Sequence, residues 1–148
     1  DFKAVIVGKG PERKGLERLA DELGVRDKVY FAGFVPEEQM VKYYSGADFS
    51  VLPSLYEPFG IVLLESMACD TPPIVSNACA MPEVIDKAGL LSKPQDEKDL
   101  AEKMNRLIGD EKLRNKLGKE GRKRCEKMFS WDVIGKQFED SYKNYLGG

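Results

Sequence analysis

Glu57 and Glu65 stand eight positions apart in the segment 54–65, S-L-Y-E-P-F-G-I-V-L-L-E. Between them Pro58 marks the start of a helix, and Gly60 leaves room for backbone or ligand to come close. The first helical amides, around Gly60, Ile61 and Val62, have no acceptor inside the helix and carry the positive end of its dipole. Together they form an anion seat suited to a diphosphate. At ~1.5 Å per residue, Glu65 lies about 7 Å further down the helix. A nucleotide diphosphate on the amides would place its ribose near that point, where a carboxylate can accept from two hydroxyls. Glu57 lies on the other side of the amides, where a group attached to the distal phosphate would sit. A purely structural account makes Glu57 a capping carboxylate and Glu65 a solvent-facing side chain. Glu65 nevertheless interrupts an otherwise apolar helix, where an unpaired carboxylate is costly, so it is expected to have a partner.

Strands alternating with helices must hold these residues. Apolar runs at 3–7, 28–32, 48–53, 73–76 and 89–92 read as strands, the first as a buried one closed by Gly8-Lys9-Gly10-Pro11. Leu16, Leu19, Ala20 and Leu23 recur at helical spacing over 13–23, and Gly24 supplies the stop. Pro36 opens a helix carrying Met40, Tyr43, Tyr44 and Ala47. Residues 59–68 are apolar round most of the circumference and read as a buried helix. After a helical turn at 82–85, charged helices are expected at 96–108 and 111–128. Ser130 caps a C-terminal helix within 130–148, whose stripe of Trp131, Ile134, Phe138, Tyr142 and Tyr145 reads as core. No linker or repeat interrupts the chain, so one domain over 1–148 is expected. The fold class is α/β, a doubly wound, Rossmann-like parallel sheet covered by helices. Its ligands sit outside the carboxyl ends of the strands, which singles out the loops after Val7, Ala32, Pro53 and Ser76.

Composition excludes several other functions. The 148 residues hold 23 Lys+Arg against 25 Asp+Glu, a near balance that argues against a nucleic-acid partner. There is no histidine, hence no imidazole base or metal ligand. Cys69, Cys79 and Cys125 are widely separated and read as buried or neutral thiols in a reducing compartment. No run spans a bilayer and no signal peptide opens the chain, so a cytoplasmic location is expected. The loop 8–13, G-K-G-P-E-R, fails as a dinucleotide fingerprint. Arg13 holds the third glycine position, Pro11 removes an amide, and the next strand ends without an acidic ribose ligand. No phosphate-loop motif is present, nor the acidic cluster of a receiver domain.

The segment 53–85, P-S-L-Y-E-P-F-G-I-V-L-L-E-S-M-A-C-D-T-P-P-I-V-S-N-A-C-A-M-P-E-V-I, resembles the donor-binding core of group 1 (family 4) retaining glycosyltransferases of the GT-B fold. Glu57 and Glu65 match the family's paired glutamates, and V-I-V-G-K-G-P at 5–11, V-Y-F-A-G-F-V at 29–35 and Ala47-Asp48 match in order. The resemblance implies that Glu65 binds the ribose of a nucleotide-diphosphate sugar and that Glu57 is catalytic, touching the donor sugar near its reacting carbon. It implies that the backbone of Phe59, Gly60, Ile61 and Val62 holds sugar and diphosphate, and that the backbone at Phe34 and Val35 contacts the base. The reaction is sugar transfer from a UDP-, GDP- or ADP-sugar to an acceptor hydroxyl with retained configuration. No metal or other cofactor is implied, and the helix amides with basic side chains neutralise the leaving diphosphate. The family usually carries glycines where this chain has Cys79, Ala80 and Asp70.

By the same resemblance the chain lacks the domain's first strand and helix and the N-terminal acceptor domain. It is then the C-terminal half of a longer enzyme, inactive alone. Two surfaces follow from this. The Lys/Arg-rich stretch 112–127 is weighed as a peripheral membrane contact against a solvated helix face. The aromatic stripe of the last helix is weighed, in part, as a contact to the acceptor domain that would promote self-association when bare. The competing functional class is a non-catalytic nucleotide-binding or oligomerisation module.

Overall fold

A run of β-branched residues, Val5-Ile6-Val7, favours extended backbone, and β1 forms over Ala4–Val7. The computed structural model describes residues 2–147, which fall into two units, Asp1–Met40 and Val41–Gly148. In the first unit β1 pairs in parallel with β2 (Val29–Gly33), Ala4 opposite Val29 and Ile6 opposite Phe31. They are joined by α1 (Arg13–Glu22) and a 3₁₀ turn, Arg26–Lys28. Arg13 ties the start of α1 to β2 by donating to the Phe31 carbonyl at 3.1 Å. Ala20 and Phe31 are buried, but Val5, Ile6 and Val7 remain 46, 39 and 38% exposed, contrary to the expected buried strand. Two strands and one helix offer too little surface to cover both faces of β1.

The boundary between the units falls inside α2 (Glu37–Gly46), which follows Pro36. The second unit holds β3 (Ser50–Leu52), β4 (Pro73–Ser76) and β5 (Leu90–Ser92), all parallel, with β4 in the middle. The strands thus form two hydrogen-bonded sets, of two and three. β4 is buried at every position, and its alternation feeds two cores. Val75 packs with Leu63, Met67, Met81 and Ile85. Ile74 packs with Leu107 and Leu117. Helices supply both layers: α3 (Ile61–Ala68), α4 (Met81–Ile85), α5 (Glu97–Gly109) and α6 (Glu111–Arg124). A sheet covered on both faces by helices is the doubly wound arrangement that the sequence predicts. Asp96 and Asp110 cap α5 and α6, accepting from the Asp99 and Leu113 amides at 2.9 Å.

The basic stretch is partly structural. Arg124 donates to the carbonyls of Val84 (2.8 Å) and Glu83 (2.7 Å) at the end of α4, and Arg122 reaches Asp70 and the Ala68 carbonyl at the end of α3. The lysines of the stretch face solvent. Arg124→Ala is expected to lower stability by about 1–2 kcal/mol in chemical denaturation, because it strips partners from two helix-end carbonyls. Lysine at 124 should not restore the loss, since it lacks the guanidinium fork.

The helix expected to continue to 128 changes at Cys125–Phe129 into a π-helical turn. Burial pushes the Cys125 thiol up to about 11, whereas Cys79 is exposed. Iodoacetamide near pH 8 should therefore label Cys79 well before Cys125, as read by peptide mass spectrometry. The last helix, α7 (Trp131–Leu146), is capped by Ser130 as its sequence predicts. Its stripe is not core. Trp131 is 88% and Tyr145 85% exposed, and Phe138 and Tyr142 are also bare. The helix packs chiefly on the π turn, so only Val133 and Ile134 on its first turn are half-covered. No helix among the described residues is long and apolar enough to cross a membrane.

Candidate functional site

The loop after β3 and the start of α3 carry the paired glutamates. The sequence places the helix start at residue 59, but the backbone turns helical only at Ile61, because Gly60 takes a left-handed conformation (φ 83°, ψ 57°) as its N-cap. A side chain at Gly60 would be strained, and its Cβ would meet Leu63 Cδ1 at 2.9 Å. Glu57 folds back over this turn. Its Oε1 accepts from the Gly60 amide at 3.0 Å and the Phe59 amide at 3.4 Å. A carboxylate therefore sits on the helix N-terminus, where dipole and free amides attract negative charge. The Ile61 and Val62 amides have no acceptor among the described residues. The Phe59 ring is an anchor, edge-on to Phe129 at 6.1 Å between centroids.

Glu65 lies on the same helix but on its open side, which corrects the expected burial of 59–68. Leu63, Ser66 and Met67 are buried, while Ile61, Val62 and Glu65 are exposed. The expected partner exists: the Tyr44 hydroxyl donates to Glu65 Oε2 at 3.2 Å. Burial first, and then the Glu65 charge, push the Tyr44 phenol above its ordinary value. The sequence pattern sets Tyr44 among apolar helix positions and gives no sign of its hydroxyl's role. Thr71 is also missed by pattern, for it sits in the loop between α3 and β4 with its polar side chain buried.

The loop after β4 adjoins the same region, with Cys79 Sγ 3.9 Å from the Leu55 carbonyl. Cys79 and Asp70, at two of the usual glycine positions, both adopt positive φ (51° and 59°). Glycine suits such backbone best, and Asp tolerates it. A hollow of about 340 Å³ opens at the carboxyl ends of β3, β4 and β5, lined by Pro53, Leu55, Ser76, Ser92, Lys93 and Gln95 among others. Neither glutamate lines it. In the first unit, Phe34 and Val35 follow β2, with the Lys9 ammonium 5.3 Å from the Phe34 ring centroid. A second hollow of about 260 Å³ lies there between the loop after β1 and the end of β2, lined by Gly8, Lys9, Arg13 and Phe31 among others.

Comparison with known proteins gives one consistent answer. The sequence model of the family described as "Glycosyl transferases group 1" matches residues 1–124. An uncharacterized glycosyltransferase of Methanocaldococcus jannaschii is 40% identical over 143 residues, which is 95% of this chain and 37% of that protein. The chain thus spans less than two fifths of that relative's length. Sucrose-phosphate synthase of Thermosynechococcus elongatus superposes with a TM-score of 0.87 at 36% identity, over 97% of this chain and 38% of that one. The C-terminal domain of the group 1 glycosyl transferase LpcC of Francisella tularensis superposes at 0.80 with 31% identity, over 88% of this chain and 71% of that one. The fold is that of the Rossmann-like C-terminal domain of GT-B glycosyltransferases, and the chain belongs to the group 1 glycosyl transferase family.

Proposed function

We propose that residues 1–148 act as a single donor-binding domain of a retaining glycosyltransferase, which moves a sugar from a nucleotide-diphosphate sugar to an acceptor hydroxyl. The observation that carries this reading is the Glu57 carboxylate seated on the Gly60 amide at the head of α3. That end of the helix holds an anion even within the chain itself. The donor diphosphate takes this seat, on the amides of Gly60, Ile61 and Val62. Glu57 swings off it to the hydroxyls of the transferred sugar, next to the bond that breaks. Glu65 accepts from the ribose. Fixed amide dipoles stabilise the charge that grows on the leaving diphosphate.

The bare stripe of α7 fits a face that an acceptor-binding domain covers. Left open, that stripe drives self-association of the 148-residue chain, which by itself transfers no sugar. Any peripheral contact with an anionic cytoplasmic membrane falls to the lysines of 112–127, since Arg114, Arg122 and Arg124 are held within the fold. Thermal-shift titration with UDP, GDP and ADP tests the reading. At least one should raise the melting temperature in a concentration-dependent way, and a flat response to all three would contradict it.

A further inference from the structure

Glu65 is exposed, yet its carboxylate is steered. Tyr44 reaches it from the last turn of α2, and that turn is itself pinned. The Tyr44 carbonyl accepts from the Thr71 hydroxyl at 2.7 Å as well as from the Ala47 amide at 3.0 Å. Thr71 is almost wholly buried, and its carbonyl accepts from Ser66 Oγ at 2.9 Å. Ser66 lies one position after Glu65 on α3 and also meets Ser50 Oγ of β3 at 2.7 Å. A continuous polar chain thus runs from the sheet through α3 and Thr71 to the Tyr44 backbone, and back through the phenol to Glu65. Every side chain in it has a partner, and a satisfied network of this kind rigidifies what it touches.

We propose that Tyr44 is a positioning residue, whose hydroxyl holds one oxygen of Glu65 so that the carboxylate faces the ribose diol of the donor. The proposal rests on the assignment of Glu65 to the ribose and adds the group that orients it. The phenol engages Oε2, and Oε1 has no partner among the described residues. An ionised carboxylate offers about four acceptor sites, so one donated bond leaves room for two ribose hydroxyls. A tyrosine phenol is protonated at neutral pH and so donates there. Holding a free carboxylate in one orientation removes an ordering cost that binding would otherwise meet.

The test uses calorimetric titration of UDP, GDP and ADP, each beside its 2′-deoxy form, into the wild-type chain, Tyr44→Phe and Glu65→Gln. The wild type should prefer the ribose form by about tenfold, the worth of a hydrogen bond to a charged group. Tyr44→Phe keeps the ring and its packing, and should cut that preference to about twofold, because the 2′-deoxy form, with only its 3′-hydroxyl left for Glu65, loses less affinity than the ribose form. A merely structural tyrosine would weaken both forms alike and leave the ratio intact. Thr71→Val, which frees the backbone carrying the ring without touching Glu65, should give a smaller loss of the same kind. If Glu65→Gln erases the preference and Tyr44→Phe does not, the positioning role is wrong and the ribose assignment stands. If Glu65→Gln also leaves the preference intact, or no diphosphate binds, the ribose assignment fails and takes this proposal with it.

Discussion

Gly118→Ala is expected to cost about 2 kcal/mol of stability, and to lower the melting temperature by several degrees in a chain of this size. Gly118 lies on α6 where that helix crosses the turn after α3. A Cβ there would stand 2.0 Å from the Asp70 carbonyl oxygen and 2.9 Å from its carbon. Both are backbone atoms, and Asp70 is already held at a φ of 59°. Nothing flexible can yield, so α6 must lift away from the core that it shares with α3 and β4. Alanine's better helix propensity, worth ~1 kcal/mol, offsets only part of this. Gly135→Ala on α7 is the matched control. No atom comes within 4 Å of its Cβ, so the propensity gain should appear without a clash. Thermal unfolding followed by circular dichroism should therefore move in opposite directions for the two variants.

Glu65→Ala is expected to weaken nucleoside diphosphate binding by ~10- to 100-fold, whereas Glu57→Ala should change it by no more than about threefold. The asymmetry follows from the two proposed contacts. Glu65 serves the ribose, which every nucleoside diphosphate carries. Glu57 serves the transferred sugar, which UDP, GDP and ADP lack. Removing Glu57 also vacates the Gly60 amide, which its carboxylate occupies in the free chain. A nucleoside diphosphate then no longer competes with an internal anion, so its affinity could rise slightly. In a full-length parent enzyme the order reverses for turnover, with Glu57→Ala removing transfer while donor binding survives. Equal losses of diphosphate affinity for both variants would refute the division of roles.

Much of this was legible in the sequence, and the failures share a cause. Strand and helix order follows from apolar periodicity, and the cap at Ser130 follows from side-chain chemistry at a helix start. The glutamate pair is visible from its spacing about a proline and a glycine. Burial was not readable in the same way. Val5-Ile6-Val7 and the α7 stripe have core-like patterns, yet both are bare, because a pattern records which face is apolar and not whether anything covers it. Residue type also misplaced the start of α3. Phe59 reads as helical, but the left-handed Gly60 delays the helix by two residues, and that delay lets Glu57 reach the amides. Tyr44 and Thr71 act through single hydroxyls made relevant by tertiary contact, and local spacing cannot announce that.

The seat at the head of α3 can be watched residue by residue. Two-dimensional ¹H–¹⁵N NMR of the chain, titrated with UDP, GDP and ADP, should show the amides of Gly60, Ile61 and Val62 shifting furthest, in a saturable way, with the diphosphate that binds. Shifts centred instead on the hollow bordered by Ser92, Lys93 and Gln95, with the Gly60–Val62 amides unmoved, would contradict the account.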